Sequence, residues 1–349
     1  MSKPNKEPFA KGLIYTLAQS DQRKPLTNAN IVTGYGSSAE DKKLLNNRAK
    51  SKLITQSLAI KMIMYAEGEN DEAAQKKYWN TYYCQNKITK VDGRTFGGYC
   101  GNRLCTICTK NRRAELIRKY LPVIESWDDP YFVTLTVLAC PAHKLKARMK
   151  SMIRAFNLVH RRIKYKHSKG RCTKLIGIRS LECNYKARAK TYNPHFHLIV
   201  NGGEMAELLR VEWQRLWTEK FVDLQGQHKR KAKMDKTEEL IETIKYSTKV
   251  FSEVEKGKKG NSKMYIAALY TIDRAMSGRR LFERFGFNLP EESQKVHKGM
   301  QVVTGAEEYK YDMKRANWIN TETDEVLHAY YPELDLLRLM EYKSDFKRK

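Results

Sequence analysis

The sequence contains no apolar run near the roughly 18 residues that a membrane span requires, and its polar, lysine-bearing N-terminus lacks the pattern of a secretory signal. Both absences predict a soluble, cytoplasmic chain with no membrane partner. There is no Gly-x-x-x-x-Gly-Lys phosphate loop, so no helicase or nucleotide-hydrolysing domain is expected, and there are no internal repeats. Acid is in short supply: Asp and Glu number 39 against 66 Lys and Arg, a formal net charge of +27. The excess is spread along all 349 residues, so a single basic tail does not account for it. Cysteines are odd in number, seven, and without a secretory signal that argues against a disulfide framework.

Charge of this sign and spread points to a polyanion, most simply nucleic acid. A ribosome-like or heparin-type binder without chemistry carries the same signature. An anionic membrane surface fits less well, because no basic amphipathic helix with an aromatic apolar face is found. The 20 tyrosines and 5 tryptophans offer base-stacking surfaces, although most aromatics in any chain are core.

The pattern of the chain predicts an α+β protein. Residues 1–46 are polar and turn-rich, as in Asn28-Ala29-Asn30 and Gly34-Tyr35-Gly36, and read as loosely packed. Helices are expected over 48–67 and 71–82, which makes 1–83 a basic, partly helical extension. Another is expected over 111–127, ended by Asp128-Asp129-Pro130. Residues 131–138 are nearly all apolar and rich in β-branched side chains, and read as a buried central strand. Over 142–166, Leu145, Met149, Met152, Ile153, Phe156, Val159 and Ile163 share one helical face, with a dense basic set opposite. That basic set is most simply a solvated face, and it could also follow phosphates. A second strand covers 175–183, with Glu182 near its end, and further helices cover 204–221 and 264–276. Beyond Pro290 a hairpin of 317–320 with 326–330 and a closing helix of 334–343 are expected. The domain reading is 1–83, 84–128, 129–287 and 288–349.

Four cysteines cluster: Cys84, Cys100, Cys105 and Cys108. The Cys-x-x-Cys pair has knuckle spacing and Cys100 lies beside glycines that allow a tight turn, so four thiolates could hold a structural Zn²⁺ in a zinc-knuckle segment over 84–128. Reduced, partly buried cysteines are the other reading. A redox Cys-x-x-Cys is disfavoured, since no βαβ pattern surrounds it.

The stretch Tyr192 to Val200 is organised around two histidines. Phe196, Leu198 and Val200 alternate with His195 and His197, so both imidazoles share one face of a strand. Two such imidazoles are half of a divalent-metal site, but alone they are more simply polar residues on a solvated edge. Downstream, Asp235 and Glu238 mark a helix start. On that helix Leu240, Ile241 and Ile244 form an apolar stripe, while Glu242, Tyr246 and Lys249 lie at i, i+4 and i+7 on the other side.

In combination these motifs resemble the HUH endonucleases, and among them the rolling-circle replication initiators of small bacterial plasmids. Phe132 to Val137, then His195-Phe196-His197, then Glu242 through Tyr246 with Lys249 match in order, within a resemblance covering roughly residues 84–287. The resemblance implies a central antiparallel sheet with helices packed on it. It implies Tyr246 as nucleophile in metal-dependent nicking of DNA, leaving a 5′-phosphotyrosine and a 3′-OH primer, with strand closure at termination. Lys245 or Lys249 would favour the phenolate, and Glu242 would act as general base in a terminating hydrolysis. The catalytic metal would be Mg²⁺ or Mn²⁺ on His195, His197 and a third ligand, for which Glu182 is the candidate; an exposed strand glutamate is the other reading. Arg279 and Arg280 in a Gly-Arg-Arg segment, and Lys229, Arg230 and Lys231, would contact DNA. Implied partners are a double-strand plasmid origin with its single-stranded hairpin, a host helicase and a second copy of the chain. Two alternatives remain. One is a single-tyrosine transposase or relaxase, the latter disfavoured because the histidines precede the tyrosine. The other is a non-catalytic, zinc-containing DNA-binding regulator.

Overall fold

A computed structural model describes residues 29–34, 39–91, 94–217, 262–290 and 306–331. Their elements are, in order, β1 (Ala29–Gly34), α1 (Ala39–Gly68), α2 (Glu72–Tyr82), β2 (Lys87–Val91), β3 (Arg94–Gly98), α3 (Thr106–Glu125), β4 (Pro130–Thr136), α4 (Ala142–Ser168), β5 (Ile176–Lys186), β6 (Thr191–Asn201), α5 (Gly203–Leu216), α6 (Ser262–Met276), β7 (Phe282–Phe285), β8 (Glu307–Asp312) and β9 (Asn317–Asn320). The fold is α+β, with two antiparallel sheets among the described residues. No described helix is long and apolar enough to cross a membrane. The chain divides into two units, Met1–Cys108 with His297–Lys349, and Thr109–Val296. The expected helices over 235–249 and 334–343 lie outside the described residues.

The first unit carries a sheet of order β1-β3-β2-β8-β9. Residues 29–34, expected as loose chain, are a strand: Ile31, Val32 and Thr33 are β-formers, and pairing with β3 (Ile31 opposite Phe96) overrides the turn signals around them. α1 starts at Ala39, earlier than expected, and buries Leu53, Leu58, Met62 and Ile63. α2 is capped by Asp71, whose carboxylate accepts the Ala74 N–H at 3.0 Å. The C-terminal hairpin differs from expectation. β9 pairs with β8, and the expected partner segment returns along β9 only briefly, through the bridge Ile319↔Val326 with Leu327 N–H donating to the Trp318 carbonyl at 2.9 Å and Asn320 N–H to the Glu325 carbonyl at 2.8 Å. β8 in turn pairs with β2, Ile88 opposite Tyr309. Tyr309 and Tyr311 alternate with charged neighbours and pack inward with Ala49, Ile88 and Trp318, whose Nε1 donates to the Gln85 carbonyl at 2.7 Å.

The second unit carries a sheet of order β4-β6-β5-β7. β5 and β6 form its centre and pair over their full lengths, from Ile176 opposite Asn201 to Lys186 opposite Thr191. The strand before the histidines, β4, neighbours β6 as expected but stands at the edge of the sheet among the described strands, which corrects its reading as central. Its run of apolar residues has another cause: α5 covers it, and Trp213 donates its indole N–H to the outward Thr136 carbonyl at 3.0 Å. Val133, Leu135, Leu181, Phe196, Leu198 and Val200 turn to one face, where they pack with α4, α5 and α6. Phe132, Ile178 and Ile199 turn to the other, where Tyr120 and Ile124 of α3 and Trp127 meet them. At Gly177 an added Cβ would stand 2.6 Å from the Ile199 carbonyl, so the central strands need glycine there.

Candidate active site and metal centres

Period-two geometry does for β6 what the alternation requires. Phe196 and Leu198 enter the core, and His195 and His197 share the opposite face. Pro194 interrupts nothing. Tyr192 N–H and C=O both pair with Cys140 on the β4 side, and Pro194 points the same way, where β4 has ended with Thr136 opposite His195. The register of β5 sets Glu182 directly across from His195 and Ser180 across from His197.

The three side chains converge. Glu182 Oε2 lies 3.6 Å from His195 Nε2 and 3.6 Å from His197 Nε2. One donor atom from each residue falls within 4.8 Å of the others, and Glu182 and His195 are buried. The second ring nitrogens are held from behind: His195 Nδ1 lies 3.0 Å from the Asn193 carbonyl and His197 Nδ1 3.1 Å from Thr134 Oγ1. A carbonyl only accepts, so neutral His195 carries its proton on Nδ1 and aims the Nε2 lone pair at Glu182. Ser180 Oγ donates to Glu182 Oε1 at 3.1 Å, leaving Oε2 to face the imidazoles. Burial, and after it the nearby His195, push the His197 pKa down to about 3, so that ring is neutral, the form that ligates metal. Two polar atoms on the same face, Thr136 Oγ1 and Asn193 Oδ1, are buried without a hydrogen-bond partner. Cis ligands of a six-coordinate Mg²⁺ or Mn²⁺ stand about 3 Å apart. The group can therefore hold such an ion with small side-chain movements.

The four clustered cysteines also meet. Cys84 follows α2, Cys100 follows β3 at a turn where Gly101 has φ +69°, and Cys105 and Cys108 open α3. Sγ of Cys108 is 3.5 Å from Sγ of Cys84 and 3.5 Å from Sγ of Cys100, and all four sulfurs lie within 4.8 Å of one another. Thiolates around tetrahedral Zn²⁺ stand about 3.8 Å apart, so the set can close on that ion. Burial opposes ionisation at Cys105, yet hydrogen bonds from Cys100, Cys108 and Cys84 hold its thiol well below the usual range. The fully buried Lys52 spends its ammonium on the Cys84 carbonyl (2.6 Å), the Tyr82 carbonyl (3.1 Å) and Asn86 Oδ1 (2.5 Å). Burial lowers its pKa to about 8, and the surrounding thiolates oppose that shift.

Other expected site residues are placed differently. Tyr246, Glu242, Lys245 and Lys249, with Lys229, Arg230 and Lys231, lie outside the described residues. Arg279 gives its guanidinium to two backbone carbonyls, Nε to Ala275 at 2.8 Å and Nη2 to Lys146 at 3.2 Å. Arg280 is exposed, 3.7 Å from Glu283. Thr134 lies in the Phe132 to Val137 motif without a role assigned to it there, and Ser180 and Asn193 carry no signal of their own in the sequence; the strand register places Thr134 and Ser180 opposite His197.

Comparison with known proteins adds to this. A family model described as replication protein, Rep_1, matches residues 95–331. A curated relative, "Protein rep" of Streptococcus pneumoniae, is 28% identical over 147 residues, 37% of this chain and 44% of the relative. "Protein rep" of a Bacillus species is 27% identical over 213 residues, 52% of this chain and 66% of the relative. "Protein rep" of Staphylococcus aureus is 27% identical over 164 residues, 43% of this chain and 69% of the relative. The match thus spans less than two thirds of the first two relatives. No solved structure matches significantly.

Proposed function

The chain belongs to the Rep_1 family of replication proteins, and on that footing we propose that it initiates rolling-circle replication of a plasmid, nicking one origin strand with Tyr246. The observation that carries this reading is the convergence of Glu182, His195 and His197, with both imidazoles oriented from behind. A purely DNA-binding protein has no use for two oriented Nε2 atoms facing a buried carboxylate. Glu182, His195 and His197 would hold Mg²⁺ or Mn²⁺, and Cys84, Cys100, Cys105 and Cys108 would hold a structural Zn²⁺. When bound, the divalent cation supplies charge neutralisation at the non-bridging phosphate oxygens.

The chain's own residues do the rest. The phenol of Tyr246 has an ordinary pKa of about 10, and Lys245 or Lys249 beside it would favour the phenolate. Its oxygen attacks phosphorus in line: the tyrosyl O–P bond forms, the P–O3′ bond breaks, and O3′ takes up a proton as the primer hydroxyl. Glu242, four residues before Tyr246 in the sequence, takes the proton of a water or of an incoming 3′-OH when the round ends. Origin DNA is the substrate, and a host helicase and a second copy of the chain are the proposed partners.

The test is a denaturing gel of single-stranded origin-hairpin DNA with wild type and Tyr246→Phe, each with Mn²⁺ and with chelator. A covalent adduct that needs both Mn²⁺ and Tyr246 is expected. Cleavage that survives Tyr246→Phe would assign the nucleophile elsewhere, and binding without cleavage or adduct would favour the non-catalytic regulator. Glu242→Ala is expected to nick and to fail at termination; loss of nicking would overturn its role.

A further inference from the structure

α4 carries nine Lys and Arg in 27 residues and no Asp or Glu. Solvated helix faces ordinarily mix the two signs, which stabilises them through i, i+4 pairs. The distribution is also ordered. His143, Lys146, Lys150, Arg154, Arg161 and Lys164 recur at the spacings of one helical face, with Asn157 completing the row, and each of the six is exposed. The stripe runs for about 30 Å at the 1.5 Å rise of a helix. It lies opposite the buried face of Leu145, Met149, Met152, Phe156, Val159 and Ile163. Among the described residues none of Lys146, Lys150, Arg154, Arg161 and Lys164 has an ion-pair partner. The basic residues on the other flank behave differently: Arg162 and Lys166 both reach Glu212 of α5. Charge on α4 is therefore neutralised where it meets the protein and left uncompensated along the outer stripe.

The neighbouring helix extends the same surface. α6 has one acid, Asp273, which is buried, and Arg274 beside it is exposed. Where α6 ends against the start of α4, a cleft of about 540 Å³ is lined by His143, Lys146, Tyr270, Thr271, Arg274 and Ser277. That is a basic, hydroxyl-bearing hollow at one end of a cationic row. It stands at the end of the sheet where Leu181 bonds to Leu281 and Cys140 to Tyr192, the end that also carries Glu182 and His195.

We infer that the α4 stripe and the cleft at its head bind double-stranded DNA through its phosphates, on the side of the sheet opposite the histidines. This rests on the reading that the protein acts on DNA. Duplex is the occupant the chemistry favours. Single-strand sites interleave cations with Phe, Tyr or Trp for base stacking. Phe156 is buried, and the two tyrosines that adjoin the stripe, exposed Tyr165 beside Lys164 and Tyr270 in the cleft, stand at its opposite ends, about 30 Å apart, so no aromatic is interleaved with its cations. A duplex carries about one negative charge per 1.7 Å of axis and is held by cations alone, without base contacts. Division of labour follows: α4 holds the duplex that flanks the origin, while the metal-facing side works on the exposed strand.

The test uses the full chain with Lys150→Glu, Arg154→Glu and Arg161→Glu combined, checked for an unchanged melting temperature, and the same three positions changed to Ala. Affinity for a duplex spanning the helix, and for a single strand of equal length, is measured by anisotropy across a salt series. The charge-reversed protein is expected to bind duplex about a hundredfold more weakly. The alanine version should flatten the slope of log affinity against log salt by about 0.9 for each phosphate that the helix no longer neutralises. Affinity for single strand and Mn²⁺-dependent nicking of it should stay within about twofold of wild type. Unchanged duplex binding, or equal losses on duplex and single strand, would overturn the inference and leave the nicking reading intact. Wild-type protein that binds duplex and loses it in the variants, yet nicks nothing, would sustain the stripe and overturn the nuclease.

Discussion

The ring nitrogens of His195 and His197 that face Glu182 are set by the atoms behind them. Thr134 is the sharper case, because its hydroxyl, at 3.1 Å, anchors His197 Nδ1. Thr134→Val keeps the shape and the strand propensity and removes the hydrogen bond. Loss of such an orienting partner costs metal affinity about tenfold or more. A Mn²⁺ titration is expected to show that loss with no change in melting temperature; equal affinity would mean that packing against Phe132, stacked at 5.2 Å, already holds the ring. His328 makes a different prediction. Its Nδ1 accepts the Tyr330 N–H at 3.1 Å, its Nε2 is buried without a partner, and burial lowers its pKa to about 4. An imidazolium there would aim a proton at a proton. The unfolded chain binds protons below about pH 6.5 while the folded one does not, so stability is present above that pH and is lost on acidification, levelling off below about pH 4. Between neutral pH and pH 5 the loss assigned to this residue is roughly 2 kcal/mol. Denaturant titrations at the two pH values should show a loss smaller by that amount in His328→Gln; an identical loss would place the proton uptake elsewhere.

At the scale of elements, what was legible and what was not divides by the range of the interactions. α4 was readable because its core face and its basic face are written at helical spacing within one segment. β6 was readable because two histidines alternate with core residues. β1 and β8 were not. Ala29–Gly34 is framed by Asn and Gly, and Glu307–Asp312 is mostly charged; each becomes a strand through a partner far along the chain, β3 and β2 respectively. The edge position of β4 was hidden for the same reason, since its apolar run reads alike whether a strand or a helix covers it. Two histidines announce themselves by spacing, and Glu182 could be named beside them only as a candidate through the family resemblance; Thr136 and Asn193 join them only once register is known. The edge of β4 yields a test. Trp213→Phe keeps an aromatic ring beside Phe196 and removes the donor to the Thr136 carbonyl. It should cost about 1–2 kcal/mol in unfolding free energy and raise amide exchange at the end of β4, opposite His195. Unchanged exchange there would show that water replaces the indole at no cost.

For the whole molecule, the two groups that could hold metal fall in different units: Cys84, Cys100, Cys105 and Cys108 in the first, Glu182, His195 and His197 in the second. Each unit has its own core, Trp318 and the β8 tyrosines in one and the face packed by α4, α5 and α6 in the other. Binding of zinc by four thiolates contributes about 10 kcal/mol or more, comparable with the whole stability of a typical domain. Lys52 ties that centre to α1, since its three hydrogen bonds end on Tyr82, Cys84 and Asn86. Removal of zinc should therefore unfold one unit and spare the other. Hydrogen exchange after treatment with a zinc chelator is expected to strip protection from α1, α2 and β2, while β5 and β6 stay protected and still titrate with Mn²⁺. Cys105→Ser should reproduce the pattern without chelator. If protection in α1 survives both treatments, the cysteines are buried thiols and the first unit stands on its core alone. If β6 loses protection together with α1, the two units unfold as one, and the strand that carries His195 and His197 would depend on the cysteine centre for its integrity.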